Sequence, residues 1–454
     1  MRAPAFALVF LFAAAATAAD TAQIASGPLD AAVAKRVAET ETPACIAVAM
    51  VDARTRFAYA CSDGAAPVTL TGQSLFEIGS ISKVFTGLVL ADMVRKGEAS
   101  LDDPAAKHSR PGAKLPTRAG REITLLDLVT QTSGLPRLPP RLAGTPTDPY
   151  ALFGPDDLYQ ALAATELTHD IGTNYEYSNF GFMWLSEIVS RIGGKPFAEL
   201  VRERVLAPLG MDDTMVALDE THRRRLVTGH NARYEPVSPW DFAPEIAGVG
   251  GLRSSVADMA RFAEAMAGMR STPLDDTIAV AMKPLRKGPG NLALAYAWHV
   301  RTTERGTLHL HNGGTGGYRA MLAVDREHKR AAVALVDSVA VFDDLPVHLL
   351  DPAQPMYRKR VAITLDSAKL EEYAGRYEIS PSFSIRMFVA GTRLMTQGTN
   401  QPAFELFAEA PDRFFARIVN AQVVFRRDSA GKVEGLTLFQ GGREVRAPRM
   451  PGEP

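Results

Sequence analysis

Hydrophobic and polar positions alternate with the period of a β-strand in two separate parts of the chain. Residues 44–62 read as a hairpin with a three-residue turn, and short alternating or apolar runs return after about residue 290: "LALAYAWHV", "GTLHLHNGG", "YRAMLAVDREHKR" and "RAAVALVDS". Between these parts the pattern is helical and rich in loops. It predicts an α+β fold in which one antiparallel sheet, made from both ends of residues 30–345, is flanked by helices and carries an inserted helical subdomain.

Capping residues mark helix boundaries in the inserted region. The stretch "SSVADMARFAEAM" places Ser255 three residues before Asp258, which is the spacing of a capping box. The stretch "FGFMWLSEIVSRIGG" is amphipathic and ends at paired glycines. These signals predict one helix that begins after Ser255 and another that ends near residue 194.

The composition changes after "DDLPVHLLDPAQPMYRKR", where prolines and charged residues indicate a linker over residues 346–365. From Tyr373 to about Arg449 short β-like runs are separated by turns at intervals of roughly ten residues. This pattern is typical of a small antiparallel barrel or sandwich, and we predict a β-barrel-like domain over residues 366–450. Nothing in its sequence indicates chemistry.

The N-terminal segment "MRAPAFALVFLFAAAATAAD" has one arginine, an apolar run and small residues ahead of Asp20. This layout predicts a secretory signal peptide over residues 1–19. The alternative is an uncleaved membrane anchor, for which the apolar run is short, since a bilayer span needs about 20 residues. No later segment has that length, so we expect a periplasmic or secreted protein without a stable membrane span.

Export to an oxidising compartment bears on the two cysteines of the chain, Cys45 and Cys61. A three-residue turn in the hairpin between them places the two positions directly opposite each other. A register slip of one residue would separate them, so the pattern leaves both a disulfide and two free thiols open.

The charges are balanced, with 50 basic and 51 acidic residues and a net charge of −1. The chain as a whole therefore lacks the basic surplus typical of proteins that bind nucleic acid, and we expect no nucleic-acid partner. A small molecule or a neutral partner fits this balance better.

The candidate chemistry begins at "FEIGSISKVFTG", where Lys83 follows Ser80 by three residues as an apolar run becomes a helix. A lysine one turn from a serine can activate it, but it can also be a solvated lysine on a helix surface. The chain contains a second match, Ser429 and Lys432 in "RRDSAGKVEG", whose Asp, Ser and Gly indicate a tight turn.

Two motifs further along the chain distinguish Ser80 and Lys83 from that second match. "NYEYSNFGF" contains Tyr177 and Asn179 just before an amphipathic helix, and "LHLHNGGTGGY" contains His311-Asn312-Gly313 at the end of a strand. In this order and spacing the motifs resemble the serine β-lactamase and penicillin-binding-protein superfamily, closest to its class C β-lactamase and D,D-peptidase branch. The resemblance covers about residues 30–345 and implies the β-lactamase/D,D-peptidase fold.

The resemblance implies an acyl-enzyme mechanism with Ser80 as the nucleophile. Either a neutral Lys83 takes the serine proton, or a charged Lys83 lowers the pKa of Tyr177 so that its phenolate takes it. Asn179 would hydrogen-bond the amide on the acyl side of the substrate and hold Lys83 in place. The backbone N–H groups of Ser80 and Gly314 would form the oxyanion hole. The alternatives are a helix-capping Asn179 and a structural Tyr177.

The third motif departs from the family pattern, which usually reads Lys-Thr-Gly where this chain has His311, Asn312 and Gly313. A permanent cation is replaced by a group that titrates near neutrality, and we expect His311 to carry partial charge toward a substrate carboxylate. A metal site is the alternative, because His309 and His311 share one strand face, but no third ligand with useful spacing is present.

We therefore expect an exported serine hydrolase without metal or other cofactor. The resemblance implies small-molecule or peptidoglycan-derived substrates, with β-lactams as substrates or inhibitors and a D-alanyl-D-alanine carboxypeptidase or endopeptidase as the leading activity. A carboxylesterase, a D-aminopeptidase and a non-catalytic muropeptide or β-lactam sensor are the alternatives. Fold alone does not choose among these substrates.

Overall fold

The computed structural model describes residues 27–451, apart from residues 143, 146, 381, 382, 400, 402, 418, 420, 441 and 442. The expected signal peptide lies outside the described residues. None of the helices within them combines the length and the hydropathy that crossing a bilayer requires.

The first part of the chain contains fourteen strands in the described residues: β1 Cys45–Val51, β2 Thr55–Cys61, β3 Leu75–Glu77, β4 Thr117–Arg118, β5 Arg121–Glu122, β6 Gly229–His230, β7 Pro236–Val237, β8 Arg253–Ser255, β9 Arg286–Lys287, β10 Leu292–Leu294, β11 His299–Thr303, β12 Gly306–Gly314, β13 Arg319–Asp325 and β14 Arg330–Val336. Eight of them form an antiparallel sheet in the order β2-β1-β14-β13-β12-β11-β10-β9. The prediction of one sheet assembled from both ends of this region is therefore confirmed.

The α-helices of this part of the chain, within the described residues, are α1 Pro28–Ala38, α2 Ser82–Arg95, α3 Ala105–His108, α4 Leu125–Val129, α5 Pro155–Ala164, α6 Asn179–Gly193, α7 Phe197–Val201, α8 Ala207–Leu209, α9 Glu220–Arg223, α10 Val256–Met266, α11 Asp275–Ala281 and α12 Asp344–Leu350. Short 3₁₀ turns cover Gly79–Ile81 and Ala247–Val249, and a π-helical turn covers Arg202–Leu206.

Helices cover both faces of the sheet. The inner face packs on the inserted helices in the larger apolar core, to which α2, α6 and α10 contribute. The outer face packs on α1 and α12 in a second core. Residues 346–350, which we assigned to the linker, belong to α12, because Val347 and Leu350 are buried against that face.

The hairpin of β1 and β2 has the predicted register. Its strands are joined by three residues, and Cys45 lies directly opposite Cys61. The two cysteines form a disulfide. The alternation of apolar residues thus determined which residues of the two strands face each other.

Both predicted helix boundaries are confirmed. The hydroxyl of Ser255 accepts a hydrogen bond from the backbone N–H of Asp258 at 3.1 Å, so Ser255 caps α10. Helix α6 ends at Gly193, and the next residue, Gly194, caps it with a φ of 66°, the left-handed conformation that ends many helices.

The C-terminal part contains α13 Ser367–Glu371 and eight strands: β15 Gly375–Ser380, β16 Phe383–Ala390, β17 Arg393–Gly398, β18 Phe404–Ala410, β19 Arg413–Ala416, β20 Ala421–Arg427, β21 Val433–Gln440 and β22 Arg443–Pro448. The strands pair in sequence order, and a bridge between Tyr377 and Arg449 nearly closes the sheet into a barrel. A separate apolar core fills it. The predicted β-barrel is confirmed.

Candidate active site

Ser80 lies in the 3₁₀ turn that leads from β3 into α2, so its side chain is held at the start of a buried helix. Lys83, one turn further on, has no exposed side-chain surface. Its Nζ lies 2.9 Å from Ser80 Oγ and donates to the backbone carbonyl of Val249 at 2.6 Å. By contrast, Ser429 and Lys432 lie at the exposed turn between β20 and β21, as their sequence predicts. Only in the first pair is the lysine buried and in contact with its serine.

The surroundings of Lys83 favour its neutral amine. Burial lowers the pKa of Lys83 well below its ordinary value, and the Arg137 guanidinium lowers it further. Within the described residues no carboxylate lies in ion-pair contact with Nζ, whose polar contacts are the Ser80 hydroxyl and the Val249 carbonyl. A lysine in such surroundings can accept a proton near neutral pH.

Tyr177 contacts the same pair of residues. Its ring centroid lies 5.0 Å from Lys83 Nζ. Burial raises the pKa of Tyr177 above its ordinary value, and a hydrogen bond with Ser80 offsets only part of this shift. Tyr177 is therefore a phenol in the free protein, able to donate a proton rather than to accept one.

Asn179 is the first residue of α6, and the preceding Ser178 caps the helix by accepting from the N–H of Gly181 at 2.9 Å. The capping alternative for Asn179 is therefore wrong. Asn179 Nδ2 donates to the Tyr150 hydroxyl at 3.2 Å, and its Oδ1 is buried with no partner in the described residues. The expected contact with Lys83 is absent from the described residues, where the Lys83 amine donates to the Val249 carbonyl instead.

Strand β12 presents an open edge beside Ser80. It pairs with β11 only as far as Leu310, opposite His299, and beyond that point it pairs with β13 alone in the described residues. A Cβ atom on Gly313 would lie 1.9 Å from the carbonyl oxygen of Ile78 and 3.1 Å from the backbone nitrogen of Ser80. Only glycine lets β12 approach the Ser80 turn this closely.

The same approach brings the expected oxyanion donors together. Gly79 has a φ of 49°, and a Cβ atom there would lie 2.5 Å from the backbone nitrogen of Gly314. The backbone of Gly314 therefore runs directly beside the Ser80 turn. The Asn312 side chain points away from this edge. Its Nδ2 donates a hydrogen bond to Asp343 Oδ2 at 2.6 Å.

His311 is 1% exposed, and its Nδ1 lies 2.7 Å from the carbonyl oxygen of Asn312. Burial lowers the pKa of His311 well below its ordinary value, and His299 and Lys83 lower it further. In the free protein these surroundings favour a neutral His311 and oppose the expected partial charge, because burial and the neighbouring imidazole and amine disfavour a second cation. His311 Nε2 is buried with no partner among the described residues.

A second histidine, which the sequence analysis missed, lies at the same place. The ring of His299 lies 5.4 Å from that of His311, and its Nε2 is 2.8 Å from the Tyr175 hydroxyl. Burial lowers the pKa of His299 to about 4. Tyr175 could have been found from the sequence, because it precedes Tyr177 by two residues and so lies next to a motif. His299 lies in no motif and could not have been found in this way.

An aromatic wall next to Ser80 was also missed. The ring of Tyr150 stacks on Phe242 at 4.7 Å and tilts against Trp240 at 5.3 Å. These three residues share a pocket with Ser80 and Asn179. They belong to two loops far apart in sequence, so no local pattern could join them.

His309, the other half of the metal alternative, has a structural partner. Its Nε2 lies 2.8 Å from the Met282 carbonyl oxygen, and its ring packs edge-on against Trp298. The described residues contain no cluster of three or more His, Cys, Asp or Glu side chains arranged to hold a metal ion.

The family of the chain is decided by a match over residues 29–347 to the family model described as Beta-lactamase. The chain belongs to the beta-lactamase family. Residues 359–448 match a second model, described as Domain of unknown function (DUF3471), over the β-barrel. The resemblance inferred from the motifs around Ser80 is confirmed, and the family makes this chain a serine hydrolase.

Two relatives show how far the similarity extends. The D-alanyl-D-alanine-carboxypeptidase/endopeptidase AmpH of Escherichia coli (strain K12) is 32% identical over 190 residues, which are 42% of this chain and 48% of AmpH. Penicillin-binding protein 4* of Bacillus subtilis (strain 168) is 25% identical over 417 residues, which are 84% of this chain and 88% of that protein. The chain thus spans about half of AmpH and most of the second relative.

Solved structures show the same fold. The beta-lactamase/D-alanine carboxypeptidase from Yersinia pestis has a TM-score of 0.59 and 22% identity, over 71% of this chain and 97% of that chain. The D-alanine carboxypeptidase AmpC from Burkholderia cenocepacia has a TM-score of 0.61 and 21% identity, over the same two shares. The fold of this beta-lactamase family member is therefore the one that the resemblance implied.

Proposed function

We propose that this chain is a penicillin-binding serine hydrolase that forms an acyl-enzyme at Ser80 and acts on D-alanyl peptides of cell-wall type. The observation that carries the proposal is the 2.9 Å contact between Ser80 Oγ and the buried amine of Lys83, which has no carboxylate partner in the described residues. A serine hydroxyl needs a nearby base to become a nucleophile, and a neutral lysine supplies one.

In the proposed mechanism, Lys83 Nζ takes the hydroxyl proton as Ser80 Oγ attacks the substrate carbonyl carbon. The carbonyl electrons move onto oxygen, and the backbone N–H groups of Ser80 and Gly314 stabilise this oxyanion. When the tetrahedral intermediate collapses, the bond to the leaving group breaks. Tyr177 gives its proton to that group and receives the one held on Lys83. A water molecule then releases the acyl group by the reverse sequence.

The open edge of β12 and the unpaired Oδ1 of Asn179 support a substrate with an acyl-side amide. A substrate backbone lying along Gly313 and Gly314 would place its amide N–H toward Asn179 Oδ1, which needs a donor. The names of two relatives, a D-alanyl-D-alanine-carboxypeptidase/endopeptidase and a penicillin-binding protein, support peptide substrates and reaction with β-lactams. The N-terminal pattern and the Cys45–Cys61 disulfide support a periplasmic or secreted location.

A carboxylesterase on the same site is the second candidate, and His311 favours it. A neutral, buried imidazole offers no charge to a substrate carboxylate. A neutral ester has no carboxylate, so its binding is not weakened by the missing charge at this position. The two candidates share the acyl-enzyme step and differ in the substrate that is turned over.

Mass spectrometry of the purified protein tests both candidates. We expect a covalent adduct at Ser80 with penicillin, and turnover of a D-Ala-D-Ala peptide faster than that of a short-chain ester. Faster ester turnover would favour the carboxylesterase. An adduct without turnover of either substrate would favour a sensor, and neither an adduct nor turnover with any of the three would refute the proposal.

A further inference from the structure

A large groove lies on the outer face of the sheet, beyond the site described above. Helix α12 is seven residues long and packs on β13 and β14. The outer face over β10, β11 and β12 forms the floor of a groove of about 1110 Å³. Leu310 and Met321 are among its apolar residues, and residues 351–354 form part of its far wall.

The groove begins at the active site. His299 and His311 both line it, and the ring of His299 also stacks on Tyr177 at 6.4 Å. Asn312 lines it as well, on the side of β12 that faces away from Ser80. A ligand lying in this groove would therefore reach the open edge of β12 at one end.

Arg301 is a cation of this groove that has no ion-pair partner among the described residues. It follows His299 by two residues on β11, so both side chains project from the same face of the sheet, about 7 Å apart along the strand. Arg301 Nε and Nη2 are buried, and neither has a hydrogen-bond partner in the described residues. Buried guanidinium N–H groups without acceptors are costly, so this position favours an anion.

Three acids line the groove; Asp343 and Asp351 are already engaged, and the third, Glu304, is exposed to solvent. Asp351 pairs with Arg305 at 3.4 Å and accepts from Gln354 Nε2 at 3.2 Å, and Asp343 accepts from Asn312 Nδ2 at 2.6 Å. Neither lies in ion-pair contact with Arg301 among the described contacts, although the charge of Asp351 offsets part of the lowering of the Arg301 pKa that burial causes. The spare recognition group of the groove is therefore the Arg301 guanidinium, which can hold a carboxylate through two parallel hydrogen bonds.

We propose that the groove binds the leaving-group side of a peptide substrate and that Arg301 holds a carboxylate one residue beyond the residue next to the scissile bond. This inference rests on the proposed function, because the leaving group is defined by cleavage at Ser80. His299 packs against Tyr177 at the reacting end, so an extended leaving group that begins beside His299 would bring its second residue to Arg301, about 7 Å further along β11. Substrates with a longer anionic leaving group would thus be preferred over those that lose a single residue.

The test compares leaving groups that differ in one charge. Peptides with the same acyl part carry a dipeptide leaving group that ends in a carboxylate or in a carboxamide. We expect Arg301→Gln to lower kcat/KM for the carboxylate peptide about 10- to 100-fold and to change the carboxamide peptide by less than about twofold. Arg301→Lys should restore part of the loss. Arg305→Gln is the matched control, since Arg305 lines the same groove but is paired with Asp351, and it should change neither peptide by more than about twofold.

A binding measurement separates failure of this inference from failure of the proposed function. Calorimetry with the two free leaving-group dipeptides needs no turnover, and the carboxylate form should bind at least about 10-fold more tightly to the unmodified protein than to Arg301→Gln. Thermal denaturation checks that both variants are folded. Equal binding of the carboxylate and carboxamide dipeptides, or equal effects of Arg301→Gln and Arg305→Gln, would overturn the inference. Absence of an adduct at Ser80 with retained Arg301-dependent binding would overturn the proposed reaction alone.

Discussion

Lys83 donates to the backbone carbonyl of Val249 at 2.6 Å, and this contact orients its amine toward Ser80 without bringing a negative charge near it. A carboxylate in place of that carbonyl would hold the lysine as a cation and raise its pKa. The carbonyl fixes the position of the amine and leaves it free to be neutral.

The first prediction separates the two serine-lysine motifs. A fluorescent penicillin should label the unmodified protein and Ser429→Ala equally, and it should not label Ser80→Ala, because only Ser80 contacts a buried amine. Gel fluorescence and the mass of the labelled peptide measure this. Label that persists in Ser80→Ala would show that another nucleophile reacts.

The second prediction concerns the proton transfer. Lys83→Ala and Tyr177→Phe should each lower kcat on the order of 10² to 10⁴-fold, the range typical of lost general acid-base catalysis. The double variant should be little worse than either single variant, because the two residues handle one proton in sequence. Steady-state rates with a short-chain ester measure the coupling. Losses that multiply would mean that the two residues act independently.

The third prediction concerns stability. Lys83→Met should raise the free energy of unfolding by about 1 kcal/mol while abolishing activity, because it removes a fully buried amine that has no charged partner in the described residues. The pKa of Lys83 is lower in the folded than in the unfolded chain, so the unfolded chain binds more protons between the two values. The gain from Lys83→Met should therefore shrink as pH rises toward the ordinary lysine pKa.

Urea unfolding at several pH values measures this effect. Lys432→Met is the control, since Lys432 is exposed, and it should change stability by no more than about 0.5 kcal/mol. A loss of stability in Lys83→Met would show that the hydrogen bonds of the amine outweigh the cost of burying it.

The fourth prediction follows from the lowered pKa of His311. With a neutral ring throughout, kcat/KM should depend on pH in the same way for an anionic penicillin and for a neutral ester. Both should rise with pH through the depressed pKa of Lys83, because the protonated amine cannot accept the serine proton. His311→Lys should improve the penicillin by about 10-fold relative to the ester. If kcat/KM fell between pH 6 and 8 for the penicillin alone, that result would show that His311 carries a charge.

The fifth prediction tests the close approach of β12 to the Ser80 turn. Gly313→Ala should lower kcat by about 10² to 10³-fold, because its Cβ would collide with the Ile78 carbonyl and move the oxyanion donors apart. Gly154→Ala is the control. Gly154 has a φ of −118°, and a Cβ atom there would have its nearest contact at 4.0 Å. An active Gly313→Ala protein would place the oxyanion hole elsewhere.

The sequence predicted those parts of the molecule that depend on short-range periodicity. The hairpin that joins Cys45 and Cys61, the cap at Ser255 and the contact between Ser80 and Lys83 all involve residues linked by one turn, one helix or one strand pair. Each follows from a period or a spacing that can be read locally. The order of the motifs then indicated the family.

The remaining features depend on contacts between distant segments. Val249 reaches Lys83 from 166 residues away, and Tyr150 and Phe242 meet from separate loops. The charge state of His311 could not be predicted either, because it depends on how completely the fold removes water from the ring. A sequence gives the ordinary pKa of an imidazole but not its burial.

Strand β1 pairs with β14 from Ile46 opposite Val336 to Val51 opposite Ala331, so two central neighbours of the sheet lie far apart in the chain. During folding the edge of β1 has no partner until β14, near the C-terminal end of the family domain, reaches it. Such long-range pairing is slow and leaves an apolar edge exposed to other chains. The Cys45–Cys61 disulfide joins the two strands of the β1–β2 hairpin. It keeps the hairpin in a single register, so that β14 pairs with a β1 strand that is already formed.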